Sequence, residues 1–249
     1  MIIKIDHVAL ESDSPSSALK FLIKRGYNIV FKDTNVPILD IKQSFLLSQC
    51  ITHDLTLLSH LTNYDIELLS HKTPNKSNSG EFIGVFDDVV GFKDWEEVIS
   101  LLQNSPLKSK EPHFQYYGDL VEKTFGFNTI MLDVAEIEQD VNFWRNCGFQ
   151  EIFKRDQWSV MKFTDIFKQK SQFLVLRQKK NIHRKMYLDI IGFNCLALIS
   201  NNIQDEIMNF REKGYTCTKI ELLEVNRTSL NISFTRSPSG ANVELIGII

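Results

Sequence analysis

Residues 5–31, IDHVALESDSPSSALKFLIKRGYNIVF, read as an apolar strand, a polar turn, an amphipathic helix that ends at a Gly-aromatic pair, and a second strand. The same layout returns in FNTIMLDVAEIEQDVNFWRNCGFQEIF (127–153) and in FNCLALISNNIQDEIMNFREKGYTCTKI (193–220). In all three copies, 19 residues separate a first-strand position from the helix-ending glycine: His7 and Gly26, Thr129 and Gly148, Cys195 and Gly214. A glycine suits this place because the residue after a helix often needs a left-handed backbone. Three copies at one spacing predict a repeated supersecondary unit.

Further strand patterns complete the unit after each helix. In the first copy, an inserted helical turn at 41–47 precedes HDLTLLSH (53–60) and YDIELLSH (64–71), which predict a hairpin, so the unit is β-α-β-β-β. Matching strand patterns follow the other two helices, near 151–153, 158–163 and 172–176 and at 216–225, 229–235 and 242–248. Polar linkers at 72–80 and 179–185 separate the copies.

Residues 80–125 hold a weaker version of the pattern. A strand candidate at 82–90 is followed by DWEEVISLL (94–102), which has the apolar spacing of an amphipathic helix. The Gly-aromatic pair is missing here. The sequence therefore fits either a shortened fourth unit or an elaborated connection, and we predict three clear modules plus one shortened module.

Composition and charge argue against several classes of partner. The chain has 249 residues, a formal net charge of -3 and 43% hydrophobic residues, which is an ordinary globular composition. Acidic and basic residues are interspersed, so nothing points to nucleic acid or to a membrane surface. No apolar run reaches the roughly 18 residues of a membrane span, and the N-terminus lacks a signal-peptide layout. The four cysteines show no CxxC spacing, so we expect free thiols and a cytoplasmic protein.

A repeated β-α-β-β-β unit of this size resembles the module of the vicinal oxygen chelate superfamily, which includes glyoxalase I, bleomycin-resistance proteins and extradiol dioxygenases. The resemblance covers most of the chain and rests on module layout rather than on the motif of one family. It implies an α+β fold in which modules pair into curled mixed sheets around a cavity. The expected pairs are an N-terminal one at 1–125 (1–72 with 80–125) and a C-terminal one at 126–249 (126–180 with 190–249). Metal ligands are implied on the first and last strand of each module.

Those two strand positions give the candidate site residues. The first-strand position is occupied by His7, Thr129 and Cys195. The last-strand position is occupied by Glu67, Leu174 and Glu244. In the shortened module, GDLVE (118–122) matches GANVE (240–244), which marks Glu122 as the corresponding carboxylate. Because the N-terminal half keeps more of these ligands, we predict a metal site of His7, Glu67 and Glu122 and ligand contacts from Glu244, Cys195 and Thr129.

One histidine and two carboxylates suit a divalent transition metal, here Fe, Mn, Ni or Zn, with open positions for a bidentate oxygen ligand. Such a metal polarises a carbonyl or stabilises an enolate. The first hypothesis is therefore a metal-dependent lyase, isomerase or dioxygenase that acts on a small oxygenated metabolite. The alternative is a metal-free small-molecule-binding protein of the bleomycin-resistance type with a degenerate metal site, and a purely structural scaffold is a third possibility. We expect a monomer or a homodimer.

Each candidate residue also has an ordinary structural interpretation. His7 in an apolar strand fits a buried core histidine, and Glu67 fits a solvent-facing strand residue. Cys195 fits a small buried side chain. The histidines at 53, 60, 71 and 113 are candidates for a general base, and spacing alone distinguishes none of them.

Overall fold

The computed structural model describes residues 1–71, 82–85, 95–104, 116–117, 127–165, 167, 170–180 and 186–248. Within these residues, fourteen strands and five helices form the predicted α+β fold. The first module contains β1 Ile2–Glu11, α1 Pro15–Ile23, β2 Asn28–Pro37, α2 Asp40–Gln43, β3 Thr52–Ser59 and β4 Ile66–His71. The second contains β5 Phe82–Val85, α3 Trp95–Asn104 and β6 Tyr116–Tyr117. The third contains β7 Thr129–Val134, α4 Ile137–Asn146, β8 Gln150–Arg155, β9 Trp158–Thr164 and β10 Ser171–Gln178. The fourth contains β11 Gly192–Ser200, α5 Ile203–Glu212, β12 Glu221–Val225, β13 Thr228–Arg236 and β14 Asn242–Ile248.

The helix-ending glycines confirm the repeat at atomic detail. Gly26, Gly148 and Gly214 have φ values of +84°, +88° and +85°, the backbone region that favours glycine. After each of them, the N–H of the aromatic residue donates to the carbonyl five residues earlier, at 3.3, 3.0 and 2.9 Å. Each clear module thus ends its helix with the same Schellman-type cap, which turns the chain back onto the sheet.

The strand pairing differs from the predicted grouping of modules. β1 and β11 run antiparallel from Ile2 opposite Ser200 to Glu11 opposite Gly192, and β5 runs antiparallel to β7. The first module therefore pairs with the last, and the two middle modules pair with each other, which corrects the predicted pairing of 1–72 with 80–125 and of 126–180 with 190–249. Strand length gives the physical reason. Within the described residues β5 has four residues, whereas the nine-residue β11 is long enough to cover the ten-residue β1.

Pairing of the outer modules creates a sheet with a different covering on each face. The strand order is β2-β3-β4-β1-β11-β14-β13-β12. On one face, Val8 and Leu196 pack in the core cluster that contains side chains of α1, α4 and α5. On the other, which we call the inner face, Ala9 and Ala197 belong to a separate apolar cluster. The alternation of side chains along each strand explains this division.

The connection between β2 and β3 covers the inner face. We call residues 38–50 the roof segment; it contains α2, close to the helical turn predicted at 41–47. Its side chains Ile41 and Phe45 are buried against the inner-face cluster, where Phe45 stacks near Phe234 with ring centroids 5.1 Å apart. Backbone N–H groups of Leu47 and Ser48 donate to the fully buried carboxylate of Asp189, both at 2.8 Å. Apolar packing and paired hydrogen bonds thus hold the roof segment on the sheet.

Two further expectations concern cysteines and membranes. None of the four cysteines, all of which are described, forms a disulfide, as the sequence predicts, and all four are buried. None of the helices in the described part of the chain combines the length and the apolar character needed to cross a membrane.

Candidate metal centre

The register of four strands brings the candidate ligands together at the middle of the inner face. His7 lies opposite Ala197 and Ala9 lies opposite Cys195, so the two modules meet about a local twofold axis. Parallel pairing then places Glu67 beside Ala9, and Glu244 beside Ala197. Because both central positions are alanines, the longer side chains around them have room to converge.

The convergent atoms come from His7, Glu67 and Glu244. His7 Nε2 lies 3.3 Å from Glu67 Oε2 and 3.8 Å from Glu244 Oε2. Among the described residues, these three form a group whose ligand atoms all lie within 4.8 Å of one another. Bonds of about 2.0–2.2 Å in tetrahedral geometry separate neighbouring donors by about 3.3–3.6 Å, so the 3.3 Å pair already has this spacing and Glu244 needs only a small side-chain movement to join it. The side chains are 6%, 14% and 5% exposed, so water screens their charges only weakly.

Asp6 fixes the orientation of the His7 ring. The Nδ1 atom of His7 lies 3.0 Å from Asp6 Oδ2, and Lys4 Nζ donates to the other carboxylate oxygen at 2.8 Å. A carboxylate on one ring nitrogen leaves the other free as a metal ligand, which is the usual arrangement around a metal-binding histidine. The Nε2 atom is buried and has no hydrogen-bond partner in the structure. A lone pair that faces two carboxylates requires a cation between them, either a proton or a metal ion.

The pKa values of His7 and Glu67 also indicate that positive charge is needed next to these carboxylates. Burial alone would lower the pKa of His7, but the carboxylates of Glu67 and Asp6 outweigh it and raise this pKa well above its ordinary value. Burial would raise the pKa of Glu67, but His7 and Lys42 lower it to about 2. The carboxylate of Glu67 is therefore held as an anion by nearby positive charge.

A lysine from the roof segment adds a positive charge beside the carboxylate of Glu244. Lys42 Nζ lies 3.4 Å from Glu244 Oε1, and its side chain is 11% exposed. The ammonium also lies 5.4 Å from the ring centre of Phe234. Burial would lower the pKa of Lys42, but Glu244 and Glu67 raise it above its ordinary value, so the side chain stays charged.

Comparisons with known proteins agree with this architecture. No family model and no curated protein matches the chain. Among solved structures, a glyoxalase I mutant from Zea mays has a TM-score of 0.61 at 16% identity, over 98% of this chain and 92% of that one. A candidate dioxygenase from Bacillus subtilis subsp. subtilis str. 168 has a TM-score of 0.62 at 13% identity, over 99% and 86%. The chain has the vicinal oxygen chelate fold. The predicted resemblance is thus confirmed at the level of fold.

Within this fold, the predicted site residues are only partly brought together. His7 and Glu67, both proposed as metal ligands, lie together, and Glu244, predicted as a ligand contact, lies with them in the place that the sequence assigned to Glu122. Glu122 itself falls outside the residues that the structure describes. Cys195 is buried on the inner face, near enough to influence the pKa of Lys42. Its Sγ is not part of the three-residue group. Thr129 is buried in β7 of the middle pair, where its hydroxyl donates to Asn128 Oδ1 at 3.0 Å.

Two of the candidate histidines lie on the inner face. His71 Nδ1 is 2.7 Å from Glu11 Oε2, and its ring centre is 5.3 Å from that of His53. Burial, followed by the charge of Lys42, lowers the pKa of His53 to about 3, so this ring is neutral. In the register of β3 and β4, both histidines lie four residues from the level of Glu67. At about 3.3 Å per residue, this offset is roughly 13 Å of backbone along the strands. They therefore line one end of the inner face rather than the centre.

Of the other two histidines, only His60 is described, and it lies away from the site. His60 lies in the turn after β3 and accepts backbone N–H groups from Thr62 and Asn63, both at 3.2 Å. His113 falls outside the described residues. Lys42, by contrast, was missed by sequence reasoning. The inserted turn (DIKQSFLL) offered little signal, because Lys42 lies among Asp40, Gln43 and Ser44 and such a polar run is ordinarily assigned to solvent.

Proposed function

We propose that the chain is a metal-dependent enzyme of the vicinal oxygen chelate type that acts on a small oxygenated metabolite. One observation carries the proposal: His7 Nε2, oriented by Asp6, is buried without a hydrogen-bond partner and faces two carboxylates at 3.3 and 3.8 Å. His7, Glu67 and Glu244 would hold the ion. A set of one nitrogen and two oxygen donors fits Fe, Mn, Ni or Zn and leaves positions for substrate oxygens.

The bound metal would act as a Lewis acid toward a carbonyl or an enolate oxygen. The residues of this chain supply the surroundings in which such chemistry is effective. Asp6 holds the histidine tautomer, and the roof segment excludes bulk water from the two carboxylates. A dry and preorganised site strengthens electrostatic stabilisation of a developing negative charge. His53 and His71 would contact parts of a substrate that lie away from the metal. Their strand positions are four residues from the level of Glu67, too far for a proton transfer at the centre.

Metal content tests this proposal. Untagged wild-type protein, purified without chelators and reconstituted with each candidate metal, should hold about one equivalent by elemental mass spectrometry. His7→Ala should hold little, and His60→Ala, which removes a histidine from the turn, should match the wild type. Equal metal content in wild type and His7→Ala, or none in either, contradicts the proposal.

Charge balance favours one alternative, a metal-free small-molecule-binding protein. The Lys42 ammonium and a protonated His7 would neutralise Glu67 and Glu244 without any metal. In that case, chelator-treated protein should bind small molecules that raise its melting temperature. A thermal-shift screen in the presence of a chelator distinguishes the two functions, because the metal-dependent enzyme requires reconstitution before its ligands bind.

A further inference from the structure

Lys42 is a buried cation whose described contacts use little of its hydrogen-bonding capacity. An ammonium has three N–H donors. The described contacts of Nζ are one oxygen of Glu244 at 3.4 Å and the face of Phe234 at 5.4 Å. Since a buried charged donor is costly unless it is hydrogen-bonded, the remaining donors call for an acceptor inside the site.

The roof segment holds this ammonium in a fixed place. Phe45 O accepts the N–H of Leu188 at 2.8 Å, and Asp189 binds two roof N–H groups. The guanidinium of Arg236 lies 4.1 Å from the ring centre of Phe45. These contacts hold the C-terminal end of the turn that carries Lys42, and at its N-terminal end the N–H of Ile41 donates to Glu221 Oε2 at 3.3 Å. Lys42 is therefore held on the inner face from both sides.

The charges around the centre then select the charge of a ligand. With a divalent ion held by neutral His7, Glu67 and Glu244, the ion and the two carboxylates cancel. Lys42 leaves one positive charge in excess, and His53 adds none because its ring is neutral. In a site this dry, an unbalanced charge strongly favours an oppositely charged ligand.

We propose that Lys42 is a substrate-binding residue and that the substrate is a small anion, which offers one oxygen to the ammonium and oxygens to the metal. This inference rests on the proposed function, because it assumes that the three ligand residues hold a metal. Carboxylates, enolates and hydroxamates share the required chemistry. The substrate is expected to be small, since the most exposed of the four side chains, Glu67, is only 14% exposed.

Binding of cobalt(II) and oxalate to Lys42→Met and wild type tests the proposal. Loss of the like charge beside the ion should tighten cobalt binding by about tenfold or more. Loss of the ammonium should weaken oxalate binding to the cobalt-loaded protein by about tenfold or more. Imidazole, a neutral metal ligand, should bind both proteins equally. Lys32→Met, which removes a lysine from β2, is the matched control and should behave as wild type. Lys42→Gln serves as a second variant if Lys42→Met does not fold.

The outcomes separate this inference from the proposed function. If both proteins bind cobalt and oxalate affinity is unchanged in Lys42→Met, the role of Lys42 is refuted while the metal site stands. If neither protein binds cobalt, the proposed function fails and the inference fails with it. If only Lys42→Met binds cobalt, Lys42 occupies the place of the metal, and an anionic substrate of a metal centre is ruled out.

Discussion

Asp6 decides which nitrogen of His7 points into the candidate metal centre. Its carboxylate lies 3.0 Å from Nδ1, so the lone pair of Nε2 faces Glu67 and Glu244. A neighbouring carboxylate both fixes the tautomer and increases the basicity of a metal-binding imidazole. The same carboxylate also accepts a hydrogen bond from Lys4, which offers a way to separate the two contacts.

Asp6→Ala should therefore weaken metal binding without abolishing it. Loss of such an outer contact typically costs about 10- to 100-fold in metal affinity. Lys4→Ala, which removes the other partner of Asp6 but keeps the Asp6–His7 contact, should change the affinity by much less. Competition titrations with a chromophoric chelator give both values. Equal losses in the two variants would show that the local charge matters and that the histidine contact does not.

His53 makes stability depend on pH in a defined window. Its pKa in the folded protein is about 3, against an ordinary 6.5, because burial and the charge of Lys42 disfavour the imidazolium. The unfolded chain therefore binds more protons between these values, and this group makes the folded state less stable as the pH falls from 6.5 toward 3. At pH 5 the effect amounts to about 2 kcal/mol. The raised pKa of His7 acts above pH 6.5 instead, because its stabilisation is complete below that pH and is lost as the pH rises through the folded pKa.

Urea unfolding of chelator-treated protein at pH 7 and pH 5 measures this effect. His53→Phe should lose about 2 kcal/mol less of its free energy of unfolding than wild type over that interval. An identical loss in the two proteins would mean that the imidazole of His53 is accessible to protons in the folded state.

At the scale of the element, the helix-ending glycines could be predicted from the sequence and the pairing of modules could not. A helix end is a local feature, and the 19-residue spacing from His7 to Gly26 returned in all three copies. The partner of β1 is a strand far away in the sequence, whereas the shortened second module follows directly and looked like the neighbour of the first. The prediction therefore placed Glu244 and His7 in different module pairs. For the same reason, the contact between Lys42 and Glu244 could not be predicted.

Two of these glycines provide a matched pair of variants. A Cβ at Gly214 would meet no atom within 4 Å, so Gly214→Ala should cost only the left-handed backbone strain, about 1 kcal/mol. A Cβ at Gly148 would lie 3.0 Å from the Phe163 ring, so Gly148→Ala should cost about 2–3 kcal/mol. Chemical denaturation compares the two directly. A larger cost at Gly214 would contradict the close approach of the Phe163 ring to Gly148.

At the scale of the whole molecule, the candidate metal centre joins the two ends of the chain. His7 and Glu67 belong to the first module and Glu244 to the last, so an ion bound by all three would crosslink the outer modules through residues more than 170 positions apart in the sequence. The ion would also bind only the folded chain, because the three ligands are brought together by the β1–β11 pairing. Binding and global stability should therefore be linked.

Saturation with metal should raise the melting temperature of the wild type. At 100 times the dissociation constant, binding adds about 2.7 kcal/mol to the free energy of unfolding, which is about 5–10 °C for a chain of this size. Glu244→Gln should show a much smaller rise in melting temperature, because it removes a metal ligand. This ligand belongs to the last module, the one farthest from His7 in the sequence. Calorimetry with and without a chelator measures both, and an unaltered shift in Glu244→Gln would remove the last module from the metal site.

The most direct test of the candidate metal centre is to locate the metal itself. Crystals of the reconstituted protein, with diffraction recorded on both sides of the absorption edge of the bound metal, give an anomalous difference map that shows only that element. We expect one strong peak, in bonding contact with Nε2 of His7 and with the carboxylates of Glu67 and Glu244. A map without a peak at this place, or with the Lys42 ammonium in it, would contradict the metal centre and leave the metal-free binding protein as the better description.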